Sequence, residues 1–170
     1  IVARQLMGRG GHGLTALVLG TGGAARGAVF GLSRWGARVM ATGRDPDHLA
    51  SMVSDMDGLV EPVNPVLLGD VAGSVDLLVQ CTTQGMGGVF PEGPLVPVRV
   101  LEVTAARAVL DMVYSPGGTD LVRAARMTGL PAAGGESVLL HQAVVGFRHW
   151  TGLDPPVAEM ERELMRAIGQ

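Results

Sequence analysis

The sequence is poor in cysteine, aromatic residues and long apolar runs, and each shortage excludes a class of protein. Its one cysteine, Cys81, rules out an intrachain disulfide framework and a cysteine-cluster metal site, and none of the four histidines has metal-ligand spacing. No apolar run approaches the roughly 18 residues of a membrane span. With only 4% aromatic residues, base-stacking platforms are not expected. We therefore expect no metal, no membrane association and a cytoplasmic location.

Charge and length place the chain among globular, single-domain proteins. The net charge is -3 and the arginines are scattered, so we expect no nucleic-acid partner. The hydrophobic fraction of 47% and the mean hydropathy of +0.32 are typical of a well-packed core. Residues 1–170 are predicted to form one domain, and Ile1–Met7 is expected to be part of a helix cut off from a longer protein.

The most informative segment runs from Thr15 to Arg26, where a strand-like apolar run passes through a glycine turn into a small-residue helix. Gly20, Gly22 and Ala25 fill the pattern G-x-G-x-x-G/A. The first glycine permits a tight turn, the second permits close approach of a pyrophosphate, and the alanine permits close packing of helix on sheet. Free N–H groups at the helix start suit a phosphate. The pattern favours dinucleotide binding over an ordinary turn.

Hydrophobic periodicity and turn residues divide the rest of the chain into alternating strands and helices. Strands are predicted over about Ala16–Leu19, Val39–Ala41, Leu59–Val63, Val75–Cys81, Val109–Val113 and Leu130–Ala133. Helices are predicted over about Ala24–Trp35, Asp45–Met56, Thr119–Arg126, Glu136–Trp150 and from Asp154 to the end. This alternation predicts an α/β fold, a doubly wound Rossmann-like parallel sheet of about six strands with helices on both faces.

The end of the second predicted strand carries the residues that would select the cofactor. Arg44 suits the 2′-phosphate of NADP, because a guanidinium binds phosphate bidentately, and Thr42 offers a hydroxyl. Asp45 has two interpretations, as a ligand of the NAD ribose or as the N-cap of the helix that Pro46 begins. The cap is favoured, so the expected cofactor is NADP, with NAD as the alternative.

Other strand ends offer weaker candidates. Thr82 and Thr83 either line a cofactor cleft or belong to an ordinary turn, and neither interpretation is favoured. Tyr114 offers a hydroxyl at the cleft rim, and Met112 an apolar surface for a nicotinamide, although a tyrosine here is more often structural. Gln142, among leucines and valines, lies either at a helix boundary or against a polar ligand. Because no histidine is near it in sequence, Cys81 is expected to be a small buried side chain rather than a nucleophile.

Taken in order, these motifs resemble the C-terminal half of shikimate dehydrogenase over nearly the whole chain. The residues that carry the resemblance are Gly20–Arg26, Gly43-Arg44, Gln80–Met86, Asp111–Pro116 with Thr119, Gly135 with Leu139–Gln142, and Phe147 with Trp150–Gly152. The resemblance implies that Gly20, Thr21, Gly22, Gly23 and Ala24 cradle phosphate, that Gly43 and Arg44 hold the ribose phosphate, that Met112 and Gly135 contact the nicotinamide, and that Tyr114 and Gln142 line the shikimate pocket.

Four residues depart from the family pattern. Asp45 replaces a threonine, His48 stands where a second basic residue is common, Gln80 replaces an asparagine, and Val138 replaces a methionine near the nicotinamide. The first two leave the selectivity for NADP open.

The resemblance implies NADP-dependent, reversible reduction of 3-dehydroshikimate to shikimate, on the route to chorismate and the aromatic amino acids. In this family the catalytic lysine and aspartate belong to an N-terminal domain, and no lysine in this chain fits such a motif. We therefore expect no catalytic residue here, an N-terminal catalytic domain as partner, and a chain that binds cofactor with little turnover. The alternatives are an NAD-dependent quinate/shikimate dehydrogenase, favoured by Asp45, and a non-catalytic nucleotide- or metabolite-sensing module, favoured by the missing half.

Overall fold

A computed structural model describes residues 1–8, 10–86 and 95–169 and contains one six-stranded sheet in the order β3-β2-β1-β4-β5-β6. All five strand pairs are parallel. The strands are β1 (Thr15–Leu19), β2 (Arg38–Thr42), β3 (Glu61–Pro62), β4 (Leu77–Gln80), β5 (Ala108–Asp111) and β6 (Ala132–Ala133). The predicted doubly wound parallel sheet is confirmed, and its order reverses between β1 and β4.

Successive residues of a strand point to opposite faces of the sheet, and here the side chains on both faces are apolar. Both faces are therefore covered by helices. Ala16 and Val18 of β1 pack into one core, and Leu17 and Leu19 pack into the other. The helices are α1 (Val2–Met7), α2 (Gly23–Trp35), α3 (Pro46–Asp55), α4 (Leu68–Ala72), α5 (Pro97–Val103), α6 (Asp120–Met127), α7 (Gly135–Thr151) and α8 (Val157–Ala167). Within the described ranges, no helix combines the length and the apolar character needed to cross a bilayer.

The prediction from sequence missed short elements and misplaced one helix start. It did not anticipate α4, α5 or the 3₁₀ turn at Pro65–Leu67, which are too short for a helical period to show. The predicted third strand shrinks to Glu61–Pro62, since proline cannot donate to a ladder. Helix α8 begins at Val157 rather than near Asp154, whose carboxylate instead pairs with Arg148 at 2.9 Å.

Candidate functional site

The carboxyl ends of four neighbouring strands align in one row. Leu19 of β1 is in register with Thr42 of β2 and Gln80 of β4, and Gln80 is in register with Asp111 of β5. The three polar members of the row are almost completely buried. Ligands of open α/β sheets bind in the crevice outside this edge, where the strand order reverses. The loops that follow these residues therefore form the candidate site.

Gly20 makes the turn from β1 that the prediction required. Its φ of +116° lies in the region that favours glycine, and its N–H donates to the Thr42 carbonyl at 2.9 Å. A Cβ at this position would lie 3.1 Å from the backbone of Cys81. The fold itself therefore requires glycine at position 20.

Gly22 and Gly23, by contrast, are not required by anything within the described chain. Gly22 has an ordinary φ of −78°, and a Cβ on either residue would meet no atom within 4 Å. Among the described residues no side chain caps α2, and its first turn holds no acidic residue. The exposed helix start thus presents free N–H donors at the positive end of the helix dipole, which is the property of an anion site.

The loop after β2 lies directly against the glycine loop. A Cβ on the buried Gly43 would come within 2.7 Å of Thr21 Cγ2, so a larger residue here would require the Thr21 side chain to move. Arg44, the next residue, is exposed. The hydroxyl of Thr42 is completely buried, so it cannot reach a ligand in the crevice as the sequence suggested. Of the two, Arg44 alone remains placed for a phosphate.

Asp45 is the N-cap of α3, which confirms the favoured interpretation. Its Oδ1 accepts from the N–H groups of Asp47 at 2.9 Å and His48 at 3.2 Å, and its Oδ2 lies 3.3 Å from His48 Nδ1. The backbone hydrogen bond from His48 is the main reason that the pKa of Asp45 is lowered. The carboxylate is therefore turned towards its own helix.

A cleft of about 780 Å³ opens beside Arg44, between α3 and the segment that follows β3. Its walls are mostly apolar and proline-rich, formed by Gly43, Arg44, Pro46, Leu49, Ala50, Val53, Ser54, Pro62, Asn64, Pro65 and Val66. Sequence reasoning missed this cleft, because its two walls come from separate segments that only the folded chain brings together.

The loop after β4 is organised by Gln80, whose role the sequence did not reveal. Its Nε2 donates to Thr82 Oγ1 at 2.8 Å and to the Gln84 carbonyl at 3.1 Å, while its Oε1 accepts from the Thr82 N–H at 3.0 Å. The Thr82 methyl group faces the turn at Gly20. Thr82 thus lies across the crevice from the glycine loop, and its cofactor contact stays a prediction.

Cys81 is unsuited to nucleophilic chemistry. Burial, together with the nearby charge of Asp111, raises the pKa of its thiol to about 12, so the thiol stays protonated near neutral pH. This agrees with its expected role as a small, mostly buried side chain.

The loop after β5 brings three predicted residues together. Met112 is half-buried and Tyr114 is exposed. The buried Gly135 at the start of α7 packs on this loop, where its N–H donates to the Val113 carbonyl at 3.1 Å. Gln142 is exposed two turns further along the same helix, so its interpretation as a helix-boundary residue is wrong.

Asp111 should make the stability of the chain depend on pH. Burial raises its pKa from 3.8 to about 6, so between these values the folded state holds a proton that the unfolded state has lost. Stability conferred by the acid therefore falls as pH rises from about 4 to 6, by roughly 2–3 kcal/mol at most.

Urea unfolding at pH 4, 5, 6 and 7 checks this dependence. The stability difference between wild type and Asp111→Asn should shrink or reverse across that window. A constant difference between wild type and Asp111→Asn would show that Asp111 titrates normally.

Comparison with known proteins gives a consistent set of similarities. A family model described as Shikimate 5'-dehydrogenase C-terminal domain matches residues 135–165. The shikimate dehydrogenase (NADP(+)) of Methanocella arvoryzae is 38% identical over 154 residues, which are 89% of this chain and 56% of that protein. The chain thus spans a little over half the length of the curated relatives that it matches.

Solved structures agree with these sequence matches. The shikimate 5-dehydrogenase of Thermus thermophilus, in complex with shikimate, superposes with a TM-score of 0.71 at 33% identity, over 91% of this chain and 54% of that one. A quinate dehydrogenase from Corynebacterium glutamicum in complex with NAD shares the fold, with a TM-score of 0.80 at 24% identity over 98% of this chain and 59% of that one. By sequence and by fold, the chain belongs to the shikimate dehydrogenase family and corresponds to its C-terminal domain.

Proposed function

We propose that this chain is the cofactor-binding half of an NADP-dependent shikimate dehydrogenase, which interconverts 3-dehydroshikimate and shikimate on the route to chorismate. The observation that carries the proposal is the open helix start at Gly22 and Gly23, with Arg44 on the adjoining loop. Free N–H donors suit the pyrophosphate, and the guanidinium suits the 2′-phosphate. The names of the relatives support the same cofactor and substrate.

The residues of the chain fit a dinucleotide laid along the carboxyl edge of the sheet. Gly20–Ala24 would hold the pyrophosphate, Gly43 and Arg44 the ribose phosphate, and Thr82 the opposite wall of the crevice. A bound nicotinamide supplies the hydride exchange. Met112 would pack against that ring beside Gly135, while Tyr114 and Gln142 would offer a hydroxyl and an amide to the polar substrate.

The proposal requires a second domain that supplies the acid–base group. The chain contains no lysine, and the resemblance implies that the family's catalytic lysine and aspartate lie in an N-terminal domain. Helix α7 and the residues after it expose large apolar side chains, including Leu139, Val145, Trp150 and Leu153. We propose that the N-terminal catalytic domain covers part of this surface. A cytoplasmic location belongs to the same proposal.

Titration of the 170-residue chain with NADPH and NADH tests the cofactor assignment. We expect NADPH to bind at least about tenfold more tightly, because a charge-assisted pair contributes roughly 1.5–3 kcal/mol and about 1.4 kcal/mol is one decade. The Asp45 carboxylate, turned back to its helix, should subtract little from this preference. Arg44→Ala should remove most of the preference while NADH affinity stays nearly unchanged.

Arg34→Ala, which removes an exposed arginine from the far end of α2, is the matched control and should keep the preference. Equal affinities in wild type, or tighter binding of NADH, would contradict the NADP assignment and favour the NAD-dependent quinate/shikimate alternative. The capping hydrogen bonds of Asp45 count against that alternative. Binding without any activity in the protein that carries this chain would favour the sensing module.

A further inference from the structure

Asp111 is the most deeply buried charged residue at the carboxyl edge, with 1% of its surface exposed. Both of its oxygens are used. Oδ1 accepts from the Val113 N–H at 2.8 Å, and Oδ2 accepts from the Thr119 hydroxyl at 2.6 Å. These partners lie at the two ends of the segment that links β5 to α6. That segment carries Met112 and Tyr114, so Asp111 holds both ends of the loop on which the proposed nicotinamide and substrate contacts lie.

The Thr119 contact extends this network into the helix. Thr119 Oγ1 accepts from the Val122 N–H at 3.2 Å and so caps α6, while its own proton is donated to Asp111. On the other side, the Gly135 N–H donates to the Val113 carbonyl, which joins the loop to α7. The loop backbone is thus fixed to β5, α6 and α7 at once, and within the described ranges Asp111 is the side chain that bonds directly to both of its ends.

We propose that Asp111 is a positioning residue, which through Val113 and Thr119 sets the orientation of the β5–α6 loop and with it the place of Tyr114. The functional meaning of this positioning rests on the function proposed above, which assigns Tyr114 to the substrate pocket. The hydrogen bonds themselves do not depend on that assignment.

The tether depends on the charge of Asp111. The ionisable groups facing it are Cys81 at the end of β4, Asp120 on α6 and Glu136 on α7. Burial raises the pKa of Asp111 to about 6, the hydrogen bonds from Thr119 and Val113 act against this rise, and the Glu136 charge adds to it. A protonated carboxyl must donate one proton and loses an acceptor site. Below about pH 6 the Thr119 hydroxyl therefore has to turn, and the loop is held less firmly.

Tyr114 is the only tyrosine in the chain, so NMR of a tyrosine-labelled sample reports on this loop alone. In the 170-residue chain without ligand, we expect the Tyr114 ring resonances to shift with a midpoint near pH 6. Asp111→Asn should abolish that shift. Thr119→Val should raise the midpoint and Glu136→Gln should lower it, since the first removes a hydrogen bond to the carboxylate and the second removes a like charge.

His141→Gln removes one of the two imidazoles of α7, the one nearer Gly135; it serves as the control for histidine titration and should leave the midpoint unchanged. A wild-type Tyr114 signal that does not move between pH 4 and 8, or a shift that survives in Asp111→Asn, overturns the positioning role. The first of these results needs only the wild-type chain. It can therefore overturn the proposal even if the Asp111→Asn variant fails to fold. Adding NADPH separates the two proposals. Failure to bind NADPH contradicts the cofactor assignment, whereas the coupling of Asp111 to Tyr114 is decided by the NMR titration without ligand.

Discussion

Replacing Gly135 by alanine should destabilise the chain by about 2–3 kcal/mol, since overpacking a close backbone contact forces the neighbouring segments apart. A Cβ at this position would lie 2.6 Å from the Met112 carbonyl oxygen and 2.7 Å from the Tyr114 N atom. Both are backbone atoms, so no side-chain rotation can relieve the contact. The cost should exceed the gain of up to about 1 kcal/mol that alanine has over glycine within a helix.

Gly146, further along α7, offers a matched control. A Cβ there would meet the Trp150 ring at 3.7 Å, an ordinary van der Waals contact. Gly146→Ala should therefore leave stability unchanged or raise it by up to about 1 kcal/mol. Urea unfolding of both variants measures the difference. Equal stability of the two variants would mean that α7 does not approach the β5–α6 loop as closely as the structure shows.

The sheet was predictable from sequence because its signals are local. Each strand is a short apolar run, and the run before Gly20 leads directly into a glycine turn and a small-residue helix. The cap at Asp45 was also predictable, because a capping side chain bonds to N–H groups only two or three residues away. Where the deciding contacts lie within a few residues, the sequence and the structure agree.

The contacts that shape the site are not local, and the sequence did not reveal them. Gly135 must be glycine because it packs against the backbone of the β5–α6 loop. Along the chain, α6 and β6 separate this loop from Gly135. Thr119, the first residue of a predicted helix, caps α6 in the structure, but its second bond, to Asp111, forms only because α6 packs back against the sheet. Gln80 was noted as a departure from the family pattern, yet its part in building the loop after β4 depends on side-chain geometry that no periodicity encodes.

Valine in place of Gly22 should weaken the binding of NADPH and NADH alike by at least about 100-fold. The added side chain would project into the open space at the start of α2, where the proposed pyrophosphate must approach the free N–H groups. Losing two charge-assisted hydrogen bonds, each contributing roughly 1.5–3 kcal/mol, corresponds to at least two decades of affinity. The fold should tolerate the change, because Gly22 has an ordinary φ and nothing in the described chain lies within 4 Å of the new Cβ.

Gly27→Val separates this local obstruction from any general effect on the helix. Gly27 lies on the exposed side of the same helix, and its Cβ would also meet nothing within 4 Å. Fluorescence titration should show that Gly27→Val binds both cofactors like wild type, while circular dichroism shows that both variants are folded. The loss in Gly22→Val should be equal for the two cofactors, because the pyrophosphate is common to both, whereas Arg44→Ala should affect NADPH alone. If Gly22→Val bound NADPH with wild-type affinity, the pyrophosphate would have to lie elsewhere, and the glycine loop would be only a turn between β1 and α2.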